Sequence, residues 1–84
     1  MTQEEIAERN PEAILIDGLD KAIIGMARRV GMEVVAYDYD KCVEVLMERE
    51  DWDREDAIDW MEYNVVGAFM GACTPVFVDL SIPR

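Results

Sequence analysis

Carboxylates are the side chains of this sequence whose spacing could do chemistry. Asp38-Tyr39-Asp40 follows the apolar run Val34-Val35-Ala36. A strand followed by D-x-D can supply an aspartate nucleophile and a magnesium ligand for phosphoryl transfer. Such enzymes need a much larger sheet and further motifs, and a helix cap accounts for Asp38 without chemistry. Asp51-x-Asp53-x-Glu55-x-x-x-Asp59-x-x-Glu62 matches several ligand positions of an EF-hand calcium loop. Its sixth position is Asp56, where the sharp turn requires glycine. Asp17 and Asp20 could join Asp38 and Asp40 to bind a divalent cation or share protons at raised pKa, if the strand ends converge. Turn chemistry explains Asp17-Gly18-Leu19-Asp20 more simply.

The chain has no histidine. Ser-His and Cys-His nucleophilic pairs are therefore excluded, along with the commonest transition-metal ligand. Cys42 and Cys73 lack C-x-x-C spacing and read as reduced, mostly buried thiols. The expectation is a protein that is not an enzyme and holds no cofactor and no metal.

Charge is the strongest regional signal. From Asp38 to Glu62 eleven acids face three bases, a local net of −8 within a chain net of −11. One reading is a solvated face on two helices. The other is an anionic surface, made of Glu48, Glu50, Asp51, Asp53, Glu55, Asp56 and Asp59, that docks on a basic groove. Trp52, an aromatic inside an acidic link, would anchor that contact or fold back onto the core. Direct contact with nucleic acid is not expected, because phosphate binding needs Lys and Arg. The same charge favours and accelerates encounter with a basic protein surface. Arg28-Arg29, the one basic doublet, reads as a salt-bridge partner of the acidic helices.

The elements that must position these groups follow from periodicity. Thr2 to Glu5 has capping-box form, opening a helix to about Arg9 that Asn10-Pro11 ends. Ile14 to Ile16 reads as a strand, paired across the Asp17–Lys21 turn with Ala22 to Val30. Ala22 to Val30 also fits a helix between Asp20 and Gly31, but Gly25 weakens that alternative. Glu33 to Tyr37 is a third strand, and Asp38 caps a helix from Tyr39 to about Arg49. Asp53 caps a second helix, whose stripe runs through Ala57, Ile58, Met61, Val65, Ala68 and Phe69 to a Gly71 stop. Asn64 reads as a hydrogen-bonding residue, and Gly67 as a place where this helix approaches the sheet. Val76 to Val78 is the last strand, after Pro75. The fold class is α+β: one domain, residues 1–84, with a small antiparallel sheet of three to four strands and a helix pair packed on one face.

Eighty-four residues give a modest core, and oligomerisation, a homodimer in the simplest case, would help it. No apolar run approaches the ~20 residues of a membrane span, and the acidic start is not a signal peptide. A soluble, intracellular protein with no membrane partner is expected.

ILIDGLDKAIIG, VVAYDYDKCVEVLMER and EDAIDWMEYNVVGAFMGACTPVFV resemble a family of small uncharacterised acidic proteins of tailed bacteriophages and prophages. The resemblance runs from Ala13 to Val78 and is carried by the ID-G, YD-x-x-KC and EYNV-x-GA-x-x-G-x-x-TP elements. It brings no catalytic residue. Met70 and Ala72-Cys73 depart from it, standing where such sequences are often more polar. It implies the cytoplasm of a bacterial host, and an inhibitor that blocks host machinery such as CRISPR or another nucleic-acid-handling defence complex.

The leading expectation is thus an interaction protein that occupies a basic surface of a host protein, an anti-defence inhibitor or nucleic-acid mimic. Glu48, Glu50, Asp51, Trp52, Asp53, Glu55, Asp56 and Asp59 form its partner-binding surface. The alternatives are a self-assembling structural or regulatory domain, using a strand edge or the Phe69–Phe77 segment, and a carboxylate site for a metal or small ligand.

Overall fold

The computed structural model describes residues 1–68 and 71–80. Helix α1 spans Gln3–Arg9 and is opened by the capping box, with Thr2 N–H on Glu5 Oε1 at 2.9 Å and Glu5 N–H on Thr2 Oγ1 at 3.2 Å. A 3-10 turn at Asp20–Ala22 leads into strand β1, Ile23–Arg29. Strand β2 is Met32–Asp38, helix α2 Tyr39–Glu50, and helix α3 Arg54–Met61. A π-helical turn, Glu62–Val66, extends α3, and strand β3 is Val76–Val78. The class is α+β, with helices packed against a three-stranded sheet of order β1-β2-β3.

Both capped helices begin at the expected aspartates. Asp38 accepts from Lys41 N–H at 3.2 Å and Asp53 from Asp56 N–H at 2.9 Å. Each satisfies a first-turn donor that the helix itself leaves unpaired. The strand reading of Ala22 to Val30 holds, since Ile23 to Arg29 pairs antiparallel with Met32 to Tyr37 across a two-residue loop. Gly25, at φ 159°, sits at a register shift on that strand.

Three expectations need correction. Ile14 to Ile16 is not a strand. The outer edge of β1, where it would pair, has no strand on it among the described residues. The Ile16 N–H is satisfied instead by the Tyr37 hydroxyl oxygen at 2.9 Å. Second, β3 pairs with β2 in parallel, Ala36 with Val76 through Asp38 with Val78. Asn10 bridges the start of β2 and the segment that precedes β3. Its amide donates to the Glu33 carbonyl at 2.7 Å and reaches Cys73 Sγ at 3.6 Å. Cys73 thus lies near the start of β2, and the chain enters β3 from that same end.

Third, the second helix does not run to Gly71. Its α-helical part stops at Met61, and the Gly67 N–H bonds back to the Glu62 carbonyl at 3.0 Å, five residues earlier. A Cβ on Gly67 would lie 2.8 Å from that same oxygen. Glycine is therefore required by the helix's own backbone rather than by close approach to the sheet. Gly71, at φ 99°, serves the following turn, where Thr74 donates from Oγ1 to its carbonyl at 2.6 Å. Phe69 lies outside the described residues.

Val35 and Tyr37 face the main core, with Leu46, Val43 and Cys42 from α2, Ala57 and Met61 from α3, and Ile6 from α1. Val34 and Ala36 alternate onto the other face and are also buried. A strand buried on both faces reads as one continuous apolar run, as this one does.

Candidate functional site

The acidic surface is built on α2, α3 and the link between them. Glu48, Glu50, Asp51, Asp53, Glu55, Asp56 and Asp59 are all exposed. Apolar positions at helical spacing point inward (Val43 and Leu46 on α2, Ala57 and Met61 on α3), and this turns the charged positions out. Asp51 makes the turn between the helices, at φ 56°. Aspartate is one of the few side chains that adopts this left-handed geometry readily.

Two of the three bases of the region are paired within it. Arg54 holds Asp40 at 2.8 Å and Lys41 holds Glu44 at 3.7 Å. Arg49 lies against Gly18. Among the described residues, none of the seven exposed acids just named forms an ion pair. The Arg28-Arg29 doublet does not reach them either. Arg29 donates to the Ala72 carbonyl at 3.0 Å, and no ion pair joins the doublet to the acidic helices.

Trp52 is half-buried and packs against the core, its ring 6.4 Å from that of Trp60 at 45°. Of the two positions open to it, it takes the one facing inward. Among the described residues the aromatic that does face solvent is Tyr63, 86% exposed on the π-helical turn. Sequence reading passed over Tyr63, although it falls off the Ala57–Met61–Val65 stripe and so was marked for the outer face.

The four aspartates weighed as a cation site go separate ways. Asp38 caps α2, Asp40 pairs with Arg54, Asp20 accepts from the Gln3 amide at 3.4 Å, and Asp17 is exposed in the turn before Gly18. Among the described residues no three Cys, Asp or Glu stand where they could share a metal ion. Asp53 likewise serves as a cap rather than a loop ligand.

Two groups at the start of α2 are tuned by burial. The Cys42 thiol is pushed up to about 12 by desolvation and then by the Asp38 charge. Such a thiol stays protonated at neutral pH and is a poor nucleophile. The Tyr39 hydroxyl is also pushed up to about 12, by burial first and then by its 2.8 Å hydrogen bond to Glu62 Oε2. That bond ties the start of α2 to the end of the acidic layer. On the other side of α2, a depression of ≈ 400 Å³ is lined by Gly18, Asp20, Lys21, Val45, Glu48 and Arg49. Its mixed charges select for no one ligand class.

Neither a protein-family model, nor a curated protein, nor a solved structure matches this chain. No helix among the described residues is long and apolar enough to cross a membrane.

Proposed function

We propose that this protein is a non-enzymatic binder that occupies a basic surface of a bacterial host protein through the acidic layer of α2 and α3. One observation carries the reading: seven exposed carboxylates on α2, α3 and their link form no ion pair among the described residues. Their field is left to act outward, where it draws in a Lys- or Arg-rich surface and orients its approach. A basic groove covered in this way is closed to nucleic acid by charge neutralisation and by bulk. The phage resemblance supplies the context, an inhibitor of a nucleic-acid-handling defence complex in the host cytoplasm.

The test is reversal of charge. The Glu50→Lys, Asp51→Lys, Asp53→Lys, Asp56→Lys variant is compared with the wild type in capture of host proteins at several salt concentrations. Loss of a salt-sensitive partner in the variant is expected. Unchanged capture by a folded variant would remove the proposal.

A second reading, self-assembly, draws on β1. This seven-residue edge strand exposes Ile24, and Val30 is exposed in the loop that follows it. The register shift at Gly25 and the Arg28-Arg29 pair work against edge-to-edge pairing. A stable closed oligomer in solution would favour this reading over the first.

A further inference from the structure

The acidic layer ends in a surface of a different kind. Beyond Met61, the π-helical turn and the end of β3 bound a depression of ≈ 440 Å³, lined by Tyr39, Ile58, Glu62, Val66, Phe77 and Asp79. A shallower one of ≈ 490 Å³ lies against Asp59, Glu62 and Tyr63, so the two meet at Glu62. Six large apolar side chains are exposed among the described residues, and three of them, Tyr63, Val66 and Leu80, lie on this turn or just after β3. Val66 lines the first depression and Tyr63 the second, so an exposed apolar side chain borders each, as contact sites often have.

We infer that this groove seats a cationic amphipathic helix of the partner, with a leucine-like side chain between Ile58, Val66 and Phe77 and Lys or Arg against Asp59, Glu62 and Asp79. The inference rests on the acidic-surface reading and adds where on that surface the apolar anchor goes. Charge complementarity picks the occupant. Asp59 and Asp79 form no ion pair among the described residues, and Glu62 accepts the Tyr39 hydroxyl through only one of its two oxygens. An apolar floor with a carboxylate rim suits a segment that is apolar on one face and basic on its flanks. Strand addition is the weaker mode, because β3 is only three residues long and offers few main-chain partners. A helix uses side chains instead, with anchors one turn apart entering adjacent depressions. The widened turn also has a role here. A π-helical turn is rare and recurs at functional sites, and this one carries the exposed Tyr63.

Two probes test the inference. One is a Lys/Leu peptide of about four helical turns with its leucines on one face. The other is an oligolysine of equal charge. Amide chemical-shift mapping locates each on the full chain, and a titration gives each affinity. The Lys/Leu peptide should bind about tenfold tighter than oligolysine and shift Ile58, Glu62, Tyr63, Val66 and Phe77. The Tyr63→Ser, Val66→Ser variant should lose that tenfold while binding oligolysine as before. Tyr63→Ser alone, at a site 86% exposed, keeps the test valid if the double variant folds poorly. Equal affinity for the two probes, or shifts confined to Glu48–Asp56 that survive the substitutions, overturns the groove and leaves the acidic surface standing. Binding of neither probe overturns both.

Discussion

At the N-terminal end of α3, exposed carboxylates crowd the link from α2 while Trp52 is turned inward beside Trp60. At its other end the carboxylates are fewer, and Tyr63 and Val66 stand in solvent between them. The first end can attract and orient a partner at a distance, but it has little apolar surface with which to hold one. The second has less charge and the apolar surface. Rim charges act mainly on association rate, whereas buried apolar anchors act mainly on dissociation. On the proposed reading, steering and holding fall at opposite ends of one short helix.

The largest way to break this comparison is to remove what fixes both ends. Met61 is fully buried where α3 passes into the π-helical turn. Met61→Ala should cost about 2–5 kcal/mol in urea unfolding. That is a large part of what an ordinary small domain has to lose. A loss below about 1 kcal/mol would mean that the turn is not anchored through this residue.

Alkaline pH should weaken the fold where α2 begins, at Tyr39 and Cys42. Tyr39 and Cys42 hold their protons more tightly when folded, up to about 12 from ordinary values of 10.0 and 9.0. The stability they contribute is fully present below those ordinary values and is lost as pH rises towards 12. The urea midpoint should therefore stay level to about pH 9 and then fall. Tyr39→Phe and Cys42→Ala should each flatten that fall. A level profile to pH 12 in the wild type would contradict the assigned burial.

The two aromatics give a crossed pair of smaller effects. Trp52→Ala should cost about 2 kcal/mol of stability, from half-buried ring area. Tyr63→Ala should stay within about 0.5 kcal/mol of wild type. In partner binding the order reverses, with Tyr63 the costlier loss. If Trp52 proved the more costly for binding at matched stability, the roles of the two ends would be exchanged.

What the sequence disclosed follows the reach of each interaction. The caps at Thr2, Asp38 and Asp53 were legible because each is a hydrogen bond between residues three apart. The apolar stripe from Ala57 to Val65 was legible because one helix face meets one core. The direction of β3 was not, since it involves contacts between segments far apart in the chain, Asn10 meeting Glu33 and Cys73 among them. Ile14 to Ile16 misled for a similar reason, as its apolar character is used in packing and its backbone finds Tyr37 instead of a strand. The π-helical turn left only Gly67 as a trace. In the candidate site, the acids could be named from composition alone, but the side taken by Trp52 depended on Trp60 and the core.

The smallest change sharpens the first end. Asp51 holds its left-handed turn at some cost that glycine would avoid. Asp51→Gly should leave stability unchanged or raise it by up to about 1 kcal/mol, while removing one steering charge. A clear loss of stability would show that the Asp51 side chain supports the turn.

The central claim, that the acidic layer binds a basic surface, is met most directly by capture from bacterial lysate at low and high salt, read by mass spectrometry, with the four-site charge-reversal variant beside the wild type. The account predicts a nucleic-acid-handling protein held by the wild type at low salt, released at high salt and lost from the variant. The same proteins held by both at every salt concentration, or a bait that recovers only itself, would contradict it.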